Sequence, residues 1–133
     1  MNCGETLLMP LRGPFKAHLW IVVTQPVNNQ CVIVSLTTLR EDRDQTLILN
    51  TGDHPFIDRA STILYADAQL ANDISLMAQI SEGRATPRQA CTPEVLRLIQ
   101  DGILRSPHTK KNIASYCRTQ WNLEAAAANS NAT

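Results

Sequence analysis

The 133-residue chain lacks several features that would assign it directly to a class of protein. No apolar run approaches the ~20 residues that span a bilayer. Met1–Pro10 carries no positive charge ahead of its short apolar part, so we expect no signal peptide. Twelve basic and twelve acidic residues give a formal charge of zero. This balance excludes global attraction to nucleic acid and leaves only a local basic patch for that purpose.

Aromatic residues are scarce, and the cysteines are widely spaced. Aromatics make up 5% of the chain, which predicts a core built mainly of Leu, Ile and Val. No CxxC pair and no zinc-ribbon spacing occurs, so we expect reduced thiols in a cytoplasmic protein. The hydrophobic content of 44% and the charged content of 18% are typical of one globular domain. The four cysteines are Cys3, Cys31, Cys91 and Cys117.

The first half of the chain predicts short β-strands. Ala17–Thr24 is rich in β-branched and aromatic residues and runs into the turn-forming Gln25–Asn29, and a second run of the same kind follows. These two runs predict a hairpin. Short strands with polar turns indicate a small antiparallel barrel rather than a parallel α/β sheet. The other predicted strands are Cys31–Thr37, Gln45–Leu49 and Ser61–Ala66.

The second half predicts helices. Ile74, Met77 and Ile80 recur at helical spacing and predict a helix over Asp73–Ile80, with Asp73 suited to its N-terminal end. Thr92-Pro93-Glu94 combines an N-cap hydroxyl, a proline at the first helical position and an acid in the first turn. A loop is predicted before this start, over Ser81–Ala90. The helix is predicted to end at Gly102, and a third helix is predicted over Thr109–Thr119.

These elements predict one domain that is mainly β with α. A small antiparallel barrel covers residues about 12–70, and a helical C-terminal extension covers about 73–119. Residues about 122–133 are rich in Ala and Asn and are expected to form a frayed tail. Packing over the barrel, a dimer interface and a cover for a groove all stay open as roles for the helices.

The segment Asn50–Phe56 is the strongest candidate for a functional site. Gly52 and Pro55 favour a tight turn between two apolar runs. A connecting loop does not need His54 beside Asp53, and the chain has only three histidines. A second one, His18, lies at the start of the first predicted strand.

Three segments in this order resemble a branch of the PemK/MazF-like family of bacterial toxins. They are H-L-W-I-V-V in the first strand, V-I-V-S-L-T-T in the second, and L-N-T-G-D-H-P-F-I around the candidate loop. The resemblance implies an SH3-like barrel and a metal-independent endoribonuclease that cleaves single-stranded RNA without a cofactor. It also implies a cytoplasmic homodimer that is neutralised by a cognate antitoxin protein.

The chain departs from that family at one hallmark. Better-known members have an Arg-Pro pair at the start of the strand, and that arginine supports catalysis. Here Lys16-Ala17-His18 occupies the position, so His18 would replace the arginine. A second hallmark, a threonine at the end of the next strand, has a counterpart in Thr37-Thr38.

Metal-free RNA cleavage requires a base for the ribose 2′-hydroxyl, an acid for the leaving oxygen, and donors for the charge on phosphate. Histidine suits both proton-transfer roles because its unperturbed pKa of ~6.5 populates both forms near neutrality. Arginine suits phosphate through its planar set of donors. We expect the catalytic residues to be His18, Thr37, Asp53 and His54, and the substrate-binding residues to be Thr38, Arg40, Arg43 and Arg59.

Other interpretations of these residues stay open. Asp53 and His54 could simply cap a turn, since aspartate bonds readily to nearby backbone. The same groove could hold a protein partner in a non-catalytic SH3-like binding module, or bind nucleic acid without cutting it. His18, His54, Asp53 and Cys31 are all competent metal ligands, but their spacing matches no metal-binding motif, and we expect no metal.

Overall fold

The computed structural model describes residues 1–10 and 17–131. The predicted start of the barrel near residue 12 and Lys16 of the family comparison lie outside the described residues, as do residues 132–133 of the predicted tail. Within the described ranges there are seven strands and three α-helices. The strands are β1 Thr6–Pro10, β2 Ala17–Val22, β3 Gln30–Thr38, β4 Ile48–Leu49, β5 Ser61–Ile63, β6 Gln69–Asn72 and β7 Thr86–Arg88, and the helices are α1 Asp73–Ser81, α2 Pro93–Arg105 and α3 Lys111–Asn131.

The strands form one antiparallel sheet in the order β4-β5-β3-β2-β1-β7. The long strand β3 pairs with β2 on one side, and with both β5 and β6 on the other. The mainly β fold with a helical C-terminal part is therefore confirmed. Closure into a barrel is not, because no pairing between the described residues joins β7 back to β4.

The two central strands are buried on both faces. Leu19 and Ile21 of β2 belong to a large apolar cluster that also contains residues of α2 and α3. Trp20 and Val22 point to the opposite face and join a second cluster with Leu76 of α1. Strands that are covered on both sides need a continuous apolar run rather than alternation. This requirement explains the L-W-I-V-V sequence.

The predicted hairpin between β2 and β3 is confirmed. Asn28 and Asn29 adopt φ values of 53° and 63°. Two successive residues at positive φ are typical of the type I′ turn, whose twist matches that of paired strands. Val27 and Gln30 exchange both backbone hydrogen bonds across this turn, at 2.9 and 3.0 Å. The register places Trp20 opposite Ser35.

Several predicted boundaries differ from the structure. The strand predicted over Gln45–Leu49 is reduced to β4, and the one predicted over Ser61–Ala66 ends at Ile63 before a 3₁₀ turn at Tyr65–Asp67. The predicted loop at Ser81–Ala90 contains β7, an edge strand. Its Pro87 is compatible with an edge position, where not every backbone amide needs a partner. Strands β1 and β6 were not predicted.

The helix predicted over Asp73–Ile80 is confirmed as α1, but two of the apolar residues that marked it are exposed. Ile74 is 61% exposed and Met77 is 50% exposed, whereas Leu76 is the buried residue of α1. The helix begins where the Asn72 side chain accepts a hydrogen bond from Ser75 N, at 3.0 Å. This capped start and the pairing of β6 with β3 set the orientation of the helix, so Leu76 faces the second apolar cluster.

The helix predicted from Thr92 begins as expected but continues past Gly102. The Thr92 hydroxyl accepts a hydrogen bond from Val95 N, and Pro93 is the first residue of α2. The helix ends at Arg105, so Gly102 is an interior residue. An alanine Cβ at this position would lie 2.5 Å from Cζ of Tyr65, which is fully buried. Gly102 therefore permits close packing of α2 against Tyr65.

The last helix is longer than predicted. It extends through Asn131, so most of the tail that was expected to fray is helical. Its N-terminal part packs against the sheet through Ile113 and Cys117, and the Trp121 indole N–H donates to Val23 O at 3.3 Å. None of the helices in the described ranges is both long and apolar enough to cross a membrane.

Candidate functional site

A polar cleft lies where β2, β3 and β5 meet the loop before β5. It is lined by four of the residues predicted for the site, together with residues that were not predicted. Arg43 contacts this cleft through a hydrogen bond to Thr37 Oγ1. The predicted lining residues are His18, Thr37, Thr38 and Arg59, and the others are Ala17, Leu36, Phe56, Asp58 and Ser61.

The sheet places His18 and Thr37 side by side. His18 lies one register step beyond the Leu19–Leu36 pair, which puts Thr37 across from it on the neighbouring strand. His18 Nδ1 lies 3.3 Å from the Leu36 carbonyl oxygen. A carbonyl can only accept, so Nδ1 carries the proton of this hydrogen bond. In the neutral ring Nε2 is then the atom with a free lone pair, which is what a general base requires.

Arg43 brings a positive charge to the Thr37 side of the cleft. Its Nη1 donates to Thr37 Oγ1 and, at 2.7 Å, to the Thr38 carbonyl. Because Thr37 Oγ1 accepts this bond, its own hydroxyl proton can point to a ligand. Arg43 has no acidic ion-pair partner among the described residues. The site therefore offers a guanidinium and a hydroxyl next to one imidazole.

The opposite wall carries an ion pair. Arg59 Nε donates to Asp58 Oδ1 at 3.0 Å, and both side chains are well exposed. Hydrogen bonding and the charge of Arg59 hold the pKa of the Asp58 carboxyl below its usual value. Arg40, the remaining predicted substrate-binding residue, is exposed in the loop after β3 and is not among the residues that line the cleft.

The structure does not bring His54 and Asp53 into this cleft. Both line a separate cavity between the candidate loop and the start of α2. His54 is 5% exposed, and both of its ring nitrogens are occupied. Nε2–H donates to the Gln89 carbonyl, and Nδ1 accepts from Phe56 N at 3.0 Å. Asp53 Oδ2 accepts from Asn50 N at 2.7 Å and so caps the turn. These contacts favour a structural role for both residues.

The helical part supports the cleft through Asp44, the neighbour of Arg43. The Ser106 hydroxyl, at the junction of α2 and α3, donates to Asp44 Oδ2 at 2.6 Å. Asp44 Oδ1 accepts from both N and Oγ1 of Thr46, at 2.9 and 2.6 Å. Thr62 of β5 donates to the Asp44 carbonyl. The loop that carries Arg43 is thus tied to both the helices and the sheet.

Removing the Ser106 hydroxyl tests this contact. Burial raises the pKa of Asp44, but hydrogen bonds from Ser106 and Thr46 outweigh it, so the pKa lies below the ordinary 3.8. A lowered folded-state pKa gives stability that is present above the unfolded value and is lost as pH falls through the folded one. We expect Ser106→Ala to lower the free energy of unfolding by about 1–2 kcal/mol at pH 7. Urea titrations should show this difference shrinking below pH 3.8; a difference that is constant with pH would contradict the account.

Thiolate chemistry has no support in the structure. Burial raises the pKa of Cys3, Cys31 and Cys91 to about 11 and that of Cys117 to about 12. These thiols stay protonated near neutral pH, and a protonated thiol is a poor nucleophile. In the part of the chain that the structure describes, no three His, Cys, Asp or Glu side chains come together as a metal site.

Of the five lining residues that were not predicted, Asp58 and Phe56 carry a charged group and an aromatic ring. Asp58 lies two residues after the candidate loop and is charged, which are ordinary properties of a surface turn. Phe56 is the last residue of the candidate loop, but an apolar residue there is expected to be buried. Instead it is 41% exposed and lines the cleft. The scarcity of aromatic residues was the only signal that could have singled it out.

The described residues form an antiparallel sheet flanked by helices, with a polar cleft lined by one histidine, two threonines and Arg59. Arg43 lies beside this cleft and is bonded to Thr37. Comparison with protein-family models gives no match, and comparison with curated proteins gives no significant match.

Proposed function

We propose that the protein is a metal-independent endoribonuclease that cleaves single-stranded RNA in the cleft between His18 and Arg59. The observation that carries the proposal is the tethered imidazole of His18 beside Thr37, with Arg43 bonded to that threonine. Transfer of the phosphodiester to a ribose hydroxyl requires a base, a hydroxyl donor and a cationic donor close to one another.

His18 would act as the proton carrier of the reaction. Its Nε2 takes the proton from the ribose 2′-hydroxyl as the 2′-oxygen forms its bond to phosphorus. The bond from phosphorus to the 5′-oxygen breaks, and that oxygen receives a proton from a water molecule. The hydroxide that this leaves takes up the proton of the imidazolium, which returns His18 to its neutral form. The products are a 2′,3′-cyclic phosphate and a free 5′-hydroxyl. A single histidine is sufficient for this sequence, so no role for His54 is needed.

Arg43 and Thr37 would stabilise the charge on phosphate. The guanidinium is held at two points, the Thr37 hydroxyl and the Thr38 carbonyl, and loses little freedom when substrate arrives. Donors fixed before the reaction stabilise developing charge at little cost in reorganisation. Arg59 is exposed and would contact the RNA backbone on the other wall.

The resemblance of three strand and loop segments to PemK/MazF-like toxins adds to this proposal. In that interpretation the protein is the toxin of a bacterial toxin–antitoxin pair, works in the cytoplasm as a homodimer and is neutralised by a cognate antitoxin. The SH3-like barrel that the resemblance implies is not confirmed, because the described strands do not close into a barrel.

Cleavage of a labelled single-stranded RNA in the presence of EDTA tests the proposal. We expect products that end in a 2′,3′-cyclic phosphate, identified by mass spectrometry. Arg43→Ala should lower the rate by about 100-fold or more, as removal of one charge-stabilising donor typically does. Arg97→Ala, on the exposed face of α2, is the matched control and should leave the rate unchanged. Absence of cleavage by the purified wild-type protein would overturn the proposed activity.

A non-catalytic binding module is the second candidate. It is favoured by the position of His54, which leaves His18 as the one histidine among the described residues of the cleft. Such a module would hold a protein partner or RNA in the same cleft without cutting it. RNA binding that weakens with salt and yields no cleavage product would select the nucleic-acid form. A stable protein complex that requires Thr37 and Arg59 would select the protein-binding form.

A further inference from the structure

Phe56 separates two cavities and lines both of them. One is the cleft that contains His18 and Thr37. The other is lined by His54, Pro55, Phe56, Arg88 and Gln89. An exposed phenyl ring on the wall of a polar cleft does not contribute to the apolar core. It is the kind of surface on which a nucleobase stacks, because every base has a π-face.

The position of Phe56 is held by His54. The His54 ring accepts from Phe56 N and donates to the Gln89 carbonyl, so one imidazole joins the candidate loop to the end of β7. Gln89 directly follows Arg88, which is the last residue of β7. His54 therefore fixes the spacing between the phenyl ring and the strand that carries the guanidinium. This positioning role explains why the His54 ring is buried and why each of its nitrogens forms a hydrogen bond.

Arg88 supplies a positive charge on the far side of Phe56. It is exposed at the edge of the sheet and has no acidic ion-pair partner among the described residues. Arginine binds phosphate through paired N–H donors. An aromatic ring with an unpaired arginine on one side and a candidate catalytic cleft on the other matches the alternation of bases and phosphates along a single strand.

We propose that Phe56 and Arg88 form a nucleotide subsite next to the cleavage site, in which one RNA base stacks on Phe56 and the following phosphate contacts Arg88. The subsite takes a single-stranded nucleotide of any sequence, because stacking does not use the base edges. His54 is its positioning residue. This inference rests on the proposed function for the identity of the ligand, and it assigns a task to residues that the cleavage chemistry leaves unused.

Binding of a non-cleavable strand tests the subsite apart from the chemistry. The probe is a fluorescein-labelled 2′-O-methyl RNA octamer of mixed sequence, and the measurement is fluorescence anisotropy. We expect Phe56→Ala to weaken binding by about 5- to 100-fold, the range for loss of one stacked base. Phe56→Trp should retain binding. Leu98→Ala is the control, since it removes a comparably exposed apolar side chain from α2.

An abasic octamer has sugar and phosphate but no bases. Its binding distinguishes the loss of base stacking in Phe56→Ala from a structural effect of that substitution. We expect Phe56→Ala to leave the binding of this abasic strand unchanged. Arg88→Ala should weaken the binding of both strands. It should also reduce the slope of log K against log salt concentration by about one, because one phosphate contact is lost. Equal binding of the base-bearing octamer by wild type and Phe56→Ala would overturn the subsite, even if RNA is cleaved. Binding that depends on Phe56, without cleavage of an all-ribose strand, would support the subsite and overturn the proposed cleavage.

Discussion

Replacement of His18 by alanine is expected to lower the rate of RNA cleavage by about 10²- to 10⁴-fold, the usual contribution of a positioned acid or base. The reason is that Nδ1 is tethered to the Leu36 carbonyl, which leaves Nε2 as the only ring atom able to accept a proton. The measurement is single-turnover cleavage of a labelled RNA in EDTA. The melting temperature of the variant should be followed in parallel, to separate lost chemistry from lost fold.

His18→Gln is the sharper variant. A glutamine amide can still donate to the Leu36 carbonyl, but it cannot take up a proton at neutral pH. We therefore expect the glutamine variant to bind the non-cleavable octamer like wild type and to cleave as slowly as the alanine variant. Cleavage at the wild-type rate in either variant would remove His18 from the reaction and leave the cleft as a binding site only.

Gly102→Ala is expected to lower the free energy of unfolding by about 3 kcal/mol, which is a typical cost of overpacking a tight core. The added Cβ would lie 2.5 Å from Tyr65 Cζ, and Tyr65 is anchored by a 2.9 Å hydrogen bond from its hydroxyl to the Ile99 carbonyl. Alanine is the better helix former by about 1 kcal/mol, which is too little to offset the clash. Thermal unfolding should show a decrease of about 10 °C in melting temperature.

Two comparisons isolate the clash between Gly102 and Tyr65. Arg97→Ala, elsewhere on α2, should change the free energy of unfolding by less than about 0.5 kcal/mol. In a Tyr65→Ala background, Gly102→Ala should become neutral or stabilising, because the ring that it would strike is gone. A destabilisation of the same size in both backgrounds would show that the close approach to Tyr65 is not the cause.

Features of this fold that depend on neighbouring residues in the chain could be predicted from the sequence. The β2–β3 hairpin is one, because two asparagines can adopt positive φ and the flanking runs are β-formers. The start of α2 is another, since the Thr92 hydroxyl and Pro93 act within a single turn. The cleft residues His18, Thr37 and Thr38 also follow, because the register of this hairpin puts the end of β3 beside the start of β2.

The strands missed by sequence reasoning depend on distant partners. β6 is not marked by apolar alternation, and its Gln69 and Leu70 are exposed. It exists because β3 extends beyond its pairing with β5 and offers free backbone groups. β7 likewise exists through its pairing with β1, about 80 residues earlier in the chain. No local propensity contains this information.

The sequence by itself determined the central hairpin, the helical second half and the identity of the candidate site residues. Only the tertiary structure decided that His54 lies apart from His18 and Thr37. His18 and His54 look alike in sequence, yet one lies half-buried beside Thr37 and the other is held by two backbone groups. Gly102 looks like a helix end and instead makes room for Tyr65. For His54 and Gly102 the deciding contacts, with Gln89 and Tyr65, join segments far apart in the chain, and a local pattern cannot encode which distant group arrives.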